Sequence, residues 1–425
     1  MQDLLYWVWL SLATTPGTDS FKRLISKFES PKRIYEAEES DIVDCIGSRS
    51  KDFKAVVDKD ITAARRVLEF CESKGVGILT YSSDEFPISL KNIDTPPVLL
   101  YYRGVLPDFN GLCFVTMVGT RRLTEYGRKN AFSISQDLAK AGVIIVSGMA
   151  IGIDGVSHAG SLSAGGINVA FLGSGIDVCY PKQHLRLAKE IVKTGCVMTE
   201  YAPGSKPERQ NFPRRNRLIA GISCATVVIE GNIRSGSLIT ARYAKEFGKK
   251  VYALPGNVDN KMSEASNILI KNGSKLITSA DDIVGDFEFV YPGKVNPFKI
   301  AEKINVSMNS VFSELQISCV CASDGIFSSF AKKREKKRRE ARTNTEDSMN
   351  QSRNESSTEL SFEKMGFDKD TLRIYQKIPT EKECSVDSLV DENDSMPKVM
   401  KALLRLEMGR AITMLPGEKV KRNYK

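Results

Sequence analysis

The chain has 425 residues, which is enough for two or three domains and a well-buried core. Its 41% hydrophobic and 27% charged residues are ordinary for a globular protein, and no window approaches the roughly eighteen apolar residues of a transmembrane helix. The first residues lack the basic segment and cleavage site of a signal peptide, so we expect a cytoplasmic protein with no membrane partner. The net charge of +9 favours an anionic partner.

The cysteine and histidine content argues against a metal centre. The nine cysteines are scattered among apolar neighbours, which indicates reduced thiols. The pair Cys319 and Cys321 has no nearby histidine and is a poor zinc site, and the chain has two histidines in all. We expect His158 to cap or pack a helix after a glycine loop, and His184 to begin a surface helix.

Residues 1–75 carry the apolar spacing of helices, which predicts helices over residues 4–12, 21–28 and 61–70. Two short breaks, at residues 15–17 and 46–48, allow two interpretations. They are either hairpin loops that present backbone N–H groups to a DNA phosphate, or turns in a small helical bundle that packs on its neighbour. A glycine in a helical turn is common, so the bundle is favoured.

Residues 76–287 alternate short apolar strands with single helices. This pattern is typical of a doubly wound, mainly parallel sheet with helices on both faces, whose ligands bind at the carboxyl ends of the strands. The predicted strands occupy residues 78–81, 98–102, 114–118, 143–146, 169–172, 197–199, 226–229 and 251–254. The predicted helices occupy residues 130–141, 185–193 and 238–247.

The composition changes after residue 287. Residues 288–360 are predicted to be a linker, with eight basic residues against two glutamates between positions 331 and 342. This polybasic run either adds weak affinity for DNA, which we favour, or is simply solvated. Residues 361–425 show two helical patterns and then two short strands, 411–415 and 420–424, as in a winged-helix module.

Loops rich in glycine and serine follow four of the predicted strands. Glycine lets the backbone approach a ligand closely, and a helix N-terminus favours phosphate. The sequence at residues 147–152 lacks the first glycine of a dinucleotide fingerprint, so we expect no NAD, FAD or other cofactor. No serine in these loops has a base that must lie near it, which argues against an enzyme.

The strongest single signal is the basic stretch at residues 203–217. It contains five basic residues and one acid: Lys206, Arg209, Arg214, Arg215, Arg217 and Glu208. Arginine forks match phosphate oxygens, and the ring of Phe212 offers a face for a base. With Arg121 and Arg122, this stretch predicts a groove for several phosphates in a row. The alternative is a solvated basic loop whose phenylalanine belongs to the core.

Five segments resemble the DNA-processing protein A (DprA/Smf) family and follow the family's order: Met117–Arg121, Val146–Asp154, Gly173–Pro181, Asn211–Gly221 and Ser235–Ala241. The resemblance implies an α/β fold with an extended Rossmann-like, doubly wound, mainly parallel sheet. A small N-terminal helical (SAM- or helix-hairpin-helix-like) domain and a C-terminal winged-helix-like domain also fit the family's layout. Two features depart from it: Ala265 stands where the family usually has glycine, and the charged insertion at residues 330–360 is unusual.

The resemblance implies a homodimer that binds single-stranded DNA without sequence preference. It also implies protection of that strand from nucleases and its transfer to the RecA recombinase during natural transformation. In this chain Arg121 would contact a phosphate, Arg209 would bind DNA and Phe212 would stack near a base. The family's dimer contacts correspond to Ile268, Leu269 and Ile270.

The predicted DNA contacts come from all of these loops. They are Gly119, Thr120, Arg121, Arg122, Ser147, Gly148, Gly173, Ser174, Lys206, Arg209, Asn211, Phe212, Arg214, Arg215, Asn216, Arg217, Ser235, Gly236 and Ser237. Among them, Arg209 and Phe212 are expected to touch DNA directly. Arg214, Asn216 and Arg217 are expected to hold the basic stretch against the strand ends.

The sequence leaves two other functions open. A nucleotide phosphoribohydrolase of the lysine-decarboxylase-like family shares a related fold, but it needs a Pro-Gly-Gly-x-Gly-Thr loop leading to a catalytic glutamate. Residues 230–237 read Glu-Gly-Asn-Ile-Arg-Ser-Gly-Ser instead. A pure interaction adaptor, whose basic loops are only surface, would not bind DNA. We favour the DNA-binding function.

Overall fold

The computed structural model describes residues 2–302, 304, 306–317, 320–321, 369–379, 384–390, 396–408, 412–415 and 419–422. The predicted polybasic run lies outside these residues. The chain forms two compact units, within residues 1–325 and 326–425. None of the helices in the described ranges has the length and apolar character needed to cross a membrane.

The first unit begins with helices that bury Trp9, Leu10 and Leu24 between them. They are α1 (Gln2–Ala13), α2 (Ser20–Phe28), α3 (Pro31–Glu36), α4 (Glu39–Ile46), α5 (Phe53–Asp58) and α6 (Thr62–Lys74). The three predicted helices correspond to α1, α2 and α6. The sequence did not indicate α3, α4 and α5, because segments of six to eight residues hold too few apolar repeats to show a period.

A large sheet follows the helical bundle. Its strands, with the short strands beside it, are β1 (Gly77–Thr80), β2 (Leu99–Gly104), β3 (Phe114–Val118), β4 (Arg122–Leu123), β5 (Ile144–Ser147), β6 (Asn168–Phe171), β7 (Cys196–Thr199), β8 (Ala225–Val228), β9 (Lys250–Ala253), β10 (Lys275–Leu276) and β11 (Val320–Cys321). Within the described chain, the large sheet has nine strands in the spatial order β1-β2-β7-β6-β5-β3-β8-β9-β10. All neighbouring strands from β7 to the end of this order, at β10, are parallel. At the other end, β2 pairs antiparallel with β7 and β1 pairs antiparallel with β2. This confirms the predicted α/β fold.

Helices cover both faces of the sheet. They are α7 (Ile88–Lys91), α8 (Glu125–Lys140), α9 (Ile153–Ser163), α10 (Leu185–Thr194), α11 (Asn211–Ile222), α12 (Ser237–Glu246), α13 (Glu264–Lys271), α14 (Asp281–Val284) and α15 (Met308–Leu315). The central strand β3 shows the two layers: Val115 and Met117 pack with α8 and α9, while Phe114 and Val118 pack with α11 and α12. Both faces of each core strand are therefore apolar, which made the strands easy to predict.

Part of the predicted linker packs on the helices of the first unit. A 3₁₀ turn at Pro297–Ala301 leads to α15, whose Phe312 ring lies edge-on to Phe132 of α8, with ring centroids 5.7 Å apart. Further on, β11 pairs in parallel with β4. These elements lie in the first unit, and the extent of the linker remains a prediction. Their few apolar residues gave only a weak helical signal.

The second unit has its own small core around Ile374, Leu389, Leu403 and Val420. Its elements are α16 (Lys369–Lys377), β12 (Cys384–Ser385), a 3₁₀ turn (Val386–Leu389), α17 (Met396–Met408), β13 (Ile412–Leu415) and β14 (Lys419–Arg422). Strands β13 and β14 form the predicted antiparallel pair, and β12 adds a further strand to β14. The winged-helix interpretation of residues 361–425 remains a prediction.

Candidate nucleic-acid interface

A cleft of about 630 Å³ opens at the carboxyl ends of β3 and β8. The sheet order reverses between these two strands, which is where open α/β sheets bind their ligands. Its walls are the loops that follow both strands, the loop at residues 207–209 and the beginning of α11. The charged side chains that line it are four arginines and one aspartate: Arg121, Arg209, Arg215, Arg234 and Asp154. The cleft is therefore suited to an anionic ligand.

The basic stretch at this cleft is helical. The sequence predicts no helix over residues 211–222, but α11 begins at Asn211. Pro213 is tolerated because it lies in the first turn, where a helix has no intrahelical partner for the backbone N–H. The Asn211 side chain donates to the Gly173 carbonyl at 3.1 Å and fixes the start of the helix. The helix then presents side chains to the cleft on one face and to the core on the other.

The ring of Phe212 is the centre of a small cluster at the mouth of the cleft. The guanidinium of Arg121 lies 5.6 Å from its centroid and that of Arg215 lies 6.0 Å away. The Tyr180 ring, which is 43% exposed, packs against it with centroids 5.5 Å apart. Gly173 lies behind the ring, since a Cβ there would come within 3.0 Å of it. These contacts fix the half-buried ring where a base could stack.

Arg215 lies at the bottom of the cleft and is only 3% exposed. Its guanidinium donates to the carbonyls of Gly148, at 2.9 Å, and Phe171. A Cβ on Gly148 would lie 2.5 Å from this guanidinium, so any other residue there would displace it. Burial lowers the pKa of Arg215 to about 10, which leaves it charged at neutral pH. Arg215 therefore supplies fixed positive charge from below.

Arg217 points away from the cleft, although it was included among the predicted DNA contacts. It is 2% exposed and forms an ion pair of 2.7 Å with the buried Glu200. On the same side, Gly17 of the N-terminal bundle packs against Arg217 and Arg214. Arg217 is thus a structural residue. The loop at residues 15–17 packs on the sheet domain, as the favoured interpretation expected.

Several other predicted contacts support the cleft from inside the protein. Ser147 is buried and donates to the Met117 carbonyl at 2.6 Å, and Ser174 is buried and donates to the Val178 carbonyl at 2.8 Å. Together with Gly148, Gly173 and Asn211, they do not line the opening. Arg122, Lys206 and Arg214 also lie outside its lining. Burial that depends on distant partners could not be inferred from these short motifs.

The remaining predicted residues come together in the cleft: Gly119, Thr120, Arg121, Arg209, Phe212, Arg215, Asn216, Ser235, Gly236 and Ser237. The hydroxyls of Ser235 and Ser237 lie 2.8 Å apart at the start of α12. The structure places three further residues in the cleft lining that were not predicted from the sequence: Tyr180, Asn232 and Arg234. An arginine beside the Ser-Gly-Ser motif was the available signal for Arg234, which is exposed.

Asp154 holds the glycine loop that follows β5. Its carboxylate accepts hydrogen bonds from the backbone N–H groups of Gly148, at 3.1 Å, and Ala150, at 3.3 Å. Burial raises the pKa of Asp154, while the nearby Arg215 opposes the shift. The carboxylate is therefore engaged by the protein itself and is not a free repulsive charge at the cleft.

Both histidines lie in the interior. His158 packs within α9, as predicted, and its Nδ1 lies 2.9 Å from Asn168 Oδ1. His184 is fully buried, with Nδ1 2.9 Å from the Met149 carbonyl, so the prediction of a surface position was wrong. The helix start that suggested exposure is covered by the loop after β5.

We expect the stability of the protein to fall below neutral pH because of His158. Burial lowers the pKa of His158 to about 4, and the nearby His184 and Arg215 act in the same direction. The unfolded chain then binds the proton more tightly, so this stabilisation is complete above about pH 6.5 and is lost as the pH falls toward 4. Between pH 7 and 5 the loss is about 2 kcal/mol. Urea unfolding should show that His158→Gln reduces the pH dependence by this amount; an unchanged dependence would contradict the assignment.

Glu230 is the acid at the start of the loop at residues 230–237, and its carboxylate is occupied by contacts within the protein. One carboxylate oxygen accepts the Thr124 N–H at 2.7 Å and the other accepts the Thr124 hydroxyl at 2.8 Å. It is 3% exposed, and it does not line the cleft. Glu230 therefore caps the start of α8. Among the described residues, no cluster of acids, cysteines and histidines could hold a metal ion.

The predicted dimer residues divide between surface and core. Ile268 is 37% exposed, Leu269 is 7% exposed and packs in the core, and Ile270 is partly buried. Leu269 is therefore not available to a second chain. Ala265 lies within α13 and donates its N–H to the Gly231 carbonyl at 2.8 Å, so this position does not require glycine.

The fold and the cleft define an extended Rossmann-like protein with a basic groove lined by aromatic rings. The family model of DNA recombination-mediator protein A matches residues 77–288. A DNA processing protein DprA from Streptococcus pneumoniae is 41% identical over 48% of this chain and 72% of its own length. Protein Smf from Synechocystis is 36% identical over 66% of this chain and 71% of its own length.

The crystal structure of DNA processing protein A from Streptococcus pneumoniae has the same fold. It matches with a TM-score of 0.59 and 34% identity, over 67% of this chain and 98% of that one. The chain belongs to the DNA recombination-mediator protein A family. Proteins of this family are DNA-binding recombination mediators and not enzymes.

Proposed function

We propose that this protein binds single-stranded DNA in the cleft at the carboxyl ends of β3 and β8. The observation that carries the proposal is the cluster of Phe212, Tyr180 and Arg121 above the buried Arg215. The rings offer stacking surfaces for unpaired bases, and the arginines offer partners for the phosphates between them. Bases in a duplex are already stacked on one another and do not present their faces to such rings.

Fluorescence anisotropy with a labelled oligothymidylate tests this function. Unlabelled single strands should displace the probe at much lower concentration than a duplex of the same length. A preference for duplex DNA, or no binding at low salt, would contradict the proposal. The absence of binding is what a pure interaction adaptor predicts.

We further propose that the bound strand is protected from nucleases and passed to RecA recombinase during natural transformation, in the cytoplasm. The membership in a recombination-mediator family supports this role. The nine cysteines of the sequence are scattered without paired spacing, apart from Cys319 and Cys321, which suits a reducing compartment. Strand exchange by RecA on DNA coated with single-strand-binding protein should begin sooner when this protein is added.

We propose a homodimer through α13 and the edge of the sheet at β10. Ile268 and Leu276 are 37% and 46% exposed there, and β10 has a neighbour on one side only within the described sheet. Ile268→Lys should weaken the dimer at least about tenfold, because it would bury an unpaired charge. Light scattering measures the shift toward monomer. The matched control is Ile88→Lys, at a residue that is 55% exposed on α7, and an equal effect of both changes would argue against this interface.

The phosphoribohydrolase alternative has no support in the site. The loop at residues 230–237 lacks the Pro-Gly-Gly-x-Gly-Thr sequence, and both carboxylate oxygens of its own acid, Glu230, are bound to Thr124. Purified protein incubated with AMP should release no adenine. Release of adenine would favour the enzyme.

A further inference from the structure

A second groove opens beside the cleft, at the carboxyl end of β9. It has a volume of about 420 Å³ and is lined by Tyr126, Pro255, Gly256, Asn257, Asn260 and Ser263. Tyr126 lies in the first turn of α8, the helix that follows β3 and β4. The groove therefore lies on the same edge of the sheet as the cleft. None of its residues was among the predicted DNA contacts.

Tyr126 provides a ring that is both exposed and held in place. The side chain is 47% exposed, and its hydroxyl donates to the Pro255 carbonyl at 2.7 Å. Partial burial and the nearby Glu230 raise the pKa of Tyr126, so the hydroxyl keeps the proton that it donates. A ring that is fixed before binding loses little conformational entropy when a base stacks on it.

The floor of the groove is rigid. The Asn267 carboxamide binds both backbone groups of Gly256, accepting from its N–H at 3.2 Å and donating to its carbonyl at 2.8 Å. A Cβ on Gly256 would lie 2.2 Å from the Ser263 hydroxyl, so glycine keeps this space open. In the described part of the chain, the carboxamide of Asn257 has no hydrogen-bond partner. It can therefore offer a donor and an acceptor to a ligand.

The chemistry of this lining differs from that of the cleft. The six lining residues include no charged side chain, so the groove suits an uncharged planar group better than a phosphate. Charged side chains lie next to the groove instead: Lys129 is exposed one turn further along α8, and Lys261 is exposed at the start of a 3₁₀ turn, Lys261–Ser263. A base in the groove would thus have cations near its own phosphates.

A contact between Thr120 and Met262 links the cleft to the groove. Thr120 lines the cleft, and its hydroxyl contacts the Met262 sulfur at 3.8 Å. The Met262 carbonyl also accepts the Gly231 N–H at 2.6 Å, and Met262 lies in the chain between two residues that line the groove, Asn260 and Ser263. Thr120 therefore connects the lining of the cleft to the segment that lines the groove.

We propose that this groove is a second base-binding subsite for the strand that occupies the cleft. An unpaired base stacks on the Tyr126 ring, and its edge bonds to the Asn257 carboxamide. The subsite deepens the proposed function and rests on it, since a base reaches the groove only as part of a bound single strand.

Oligothymidylates of two lengths, about 4 and about 16 nucleotides, test the subsite. The shorter one fills the cleft alone, whereas the longer one also reaches the groove. Tyr126→Ala should weaken binding of the longer strand about tenfold, the value of one base–aromatic stack, and leave the shorter one unchanged. Tyr126→Phe keeps the ring but not its anchor, so it should retain most of the affinity. Circular dichroism and thermal unfolding confirm that each variant is folded.

Three results would overturn the subsite. Equal affinity of wild type and Tyr126→Ala for both lengths shows that no base stacks there. An equal loss for both lengths shows damage to the cleft. If the wild type binds neither strand, the proposed function fails with the subsite, whereas the first two results leave the cleft assignment standing.

Discussion

Reversing the charge of Arg121 and Arg209 together should reduce the affinity for single-stranded DNA by at least about a hundredfold. Both side chains are exposed and line the cleft, Arg121 in the loop after β3 and Arg209 in the loop before α11. A hydrogen bond to a charged group contributes about 1.5–3 kcal/mol, so two lost phosphate contacts cost about 3 kcal/mol or more. The variant Arg121→Glu/Arg209→Glu is measured by fluorescence anisotropy at low salt, where the phosphate contacts contribute most.

The matched control is Lys189→Glu/Lys249→Glu, which changes the net charge by the same amount outside the cleft lining. It should bind within a few-fold of the wild type. If both double variants lost affinity equally, the overall charge and not the cleft would be responsible. If neither lost affinity, DNA would bind elsewhere on the protein.

Glu200→Ala should destabilise the protein by about 3–5 kcal/mol. The change would leave the guanidinium of Arg217 buried without its partner, and the cost of breaking a buried ion pair is of this size. The pair also holds α11 beneath the loop of Gly17, so the loss extends to the contact with the N-terminal bundle. Urea unfolding followed by circular dichroism measures it.

Two further variants distinguish a buried pair from a general effect. Glu200→Leu/Arg217→Met removes both charges and should be much less destabilising than Glu200→Ala. Glu190→Ala breaks an exposed pair with Lys193 on α10 and should cost about 0.5 kcal/mol or less. A loss for Glu200→Ala as small as that for Glu190→Ala would contradict the assignment of Glu200 and Arg217 as a buried pair.

The sequence predicted the sheet well because the core strands are buried on both faces. Residues 114–118 form an apolar run bounded by glycine, and the structure places β3 over the same residues. The amphipathic helices α10 and α12 were predicted within a few residues, because their apolar residues recur at helical spacing on one face. By contrast, the first turns of α11 carry arginines and a proline. Such residues are typical of a loop when the sequence does not show what they pack against.

The roles of the arginines could not be read from the sequence. Arg215 and Arg217 lie two positions apart, yet one lies beneath the cleft and the other pairs with Glu200, seventeen positions earlier in the chain. Arg234 lines the cleft without belonging to a basic cluster. Which arginine faces DNA therefore depends on the packing of α11 and the loops, a tertiary property that short motifs do not record.

The salt dependence of single-strand binding tests the cleft most directly. The slope of the logarithm of affinity against the logarithm of salt concentration counts phosphate contacts, at about 0.7 per contact for single strands. With Arg121 and Arg209 both replaced by glutamate, the slope should be less steep than that of the wild type by about 1.4. An unchanged slope would contradict the placement of the DNA strand between these two arginines.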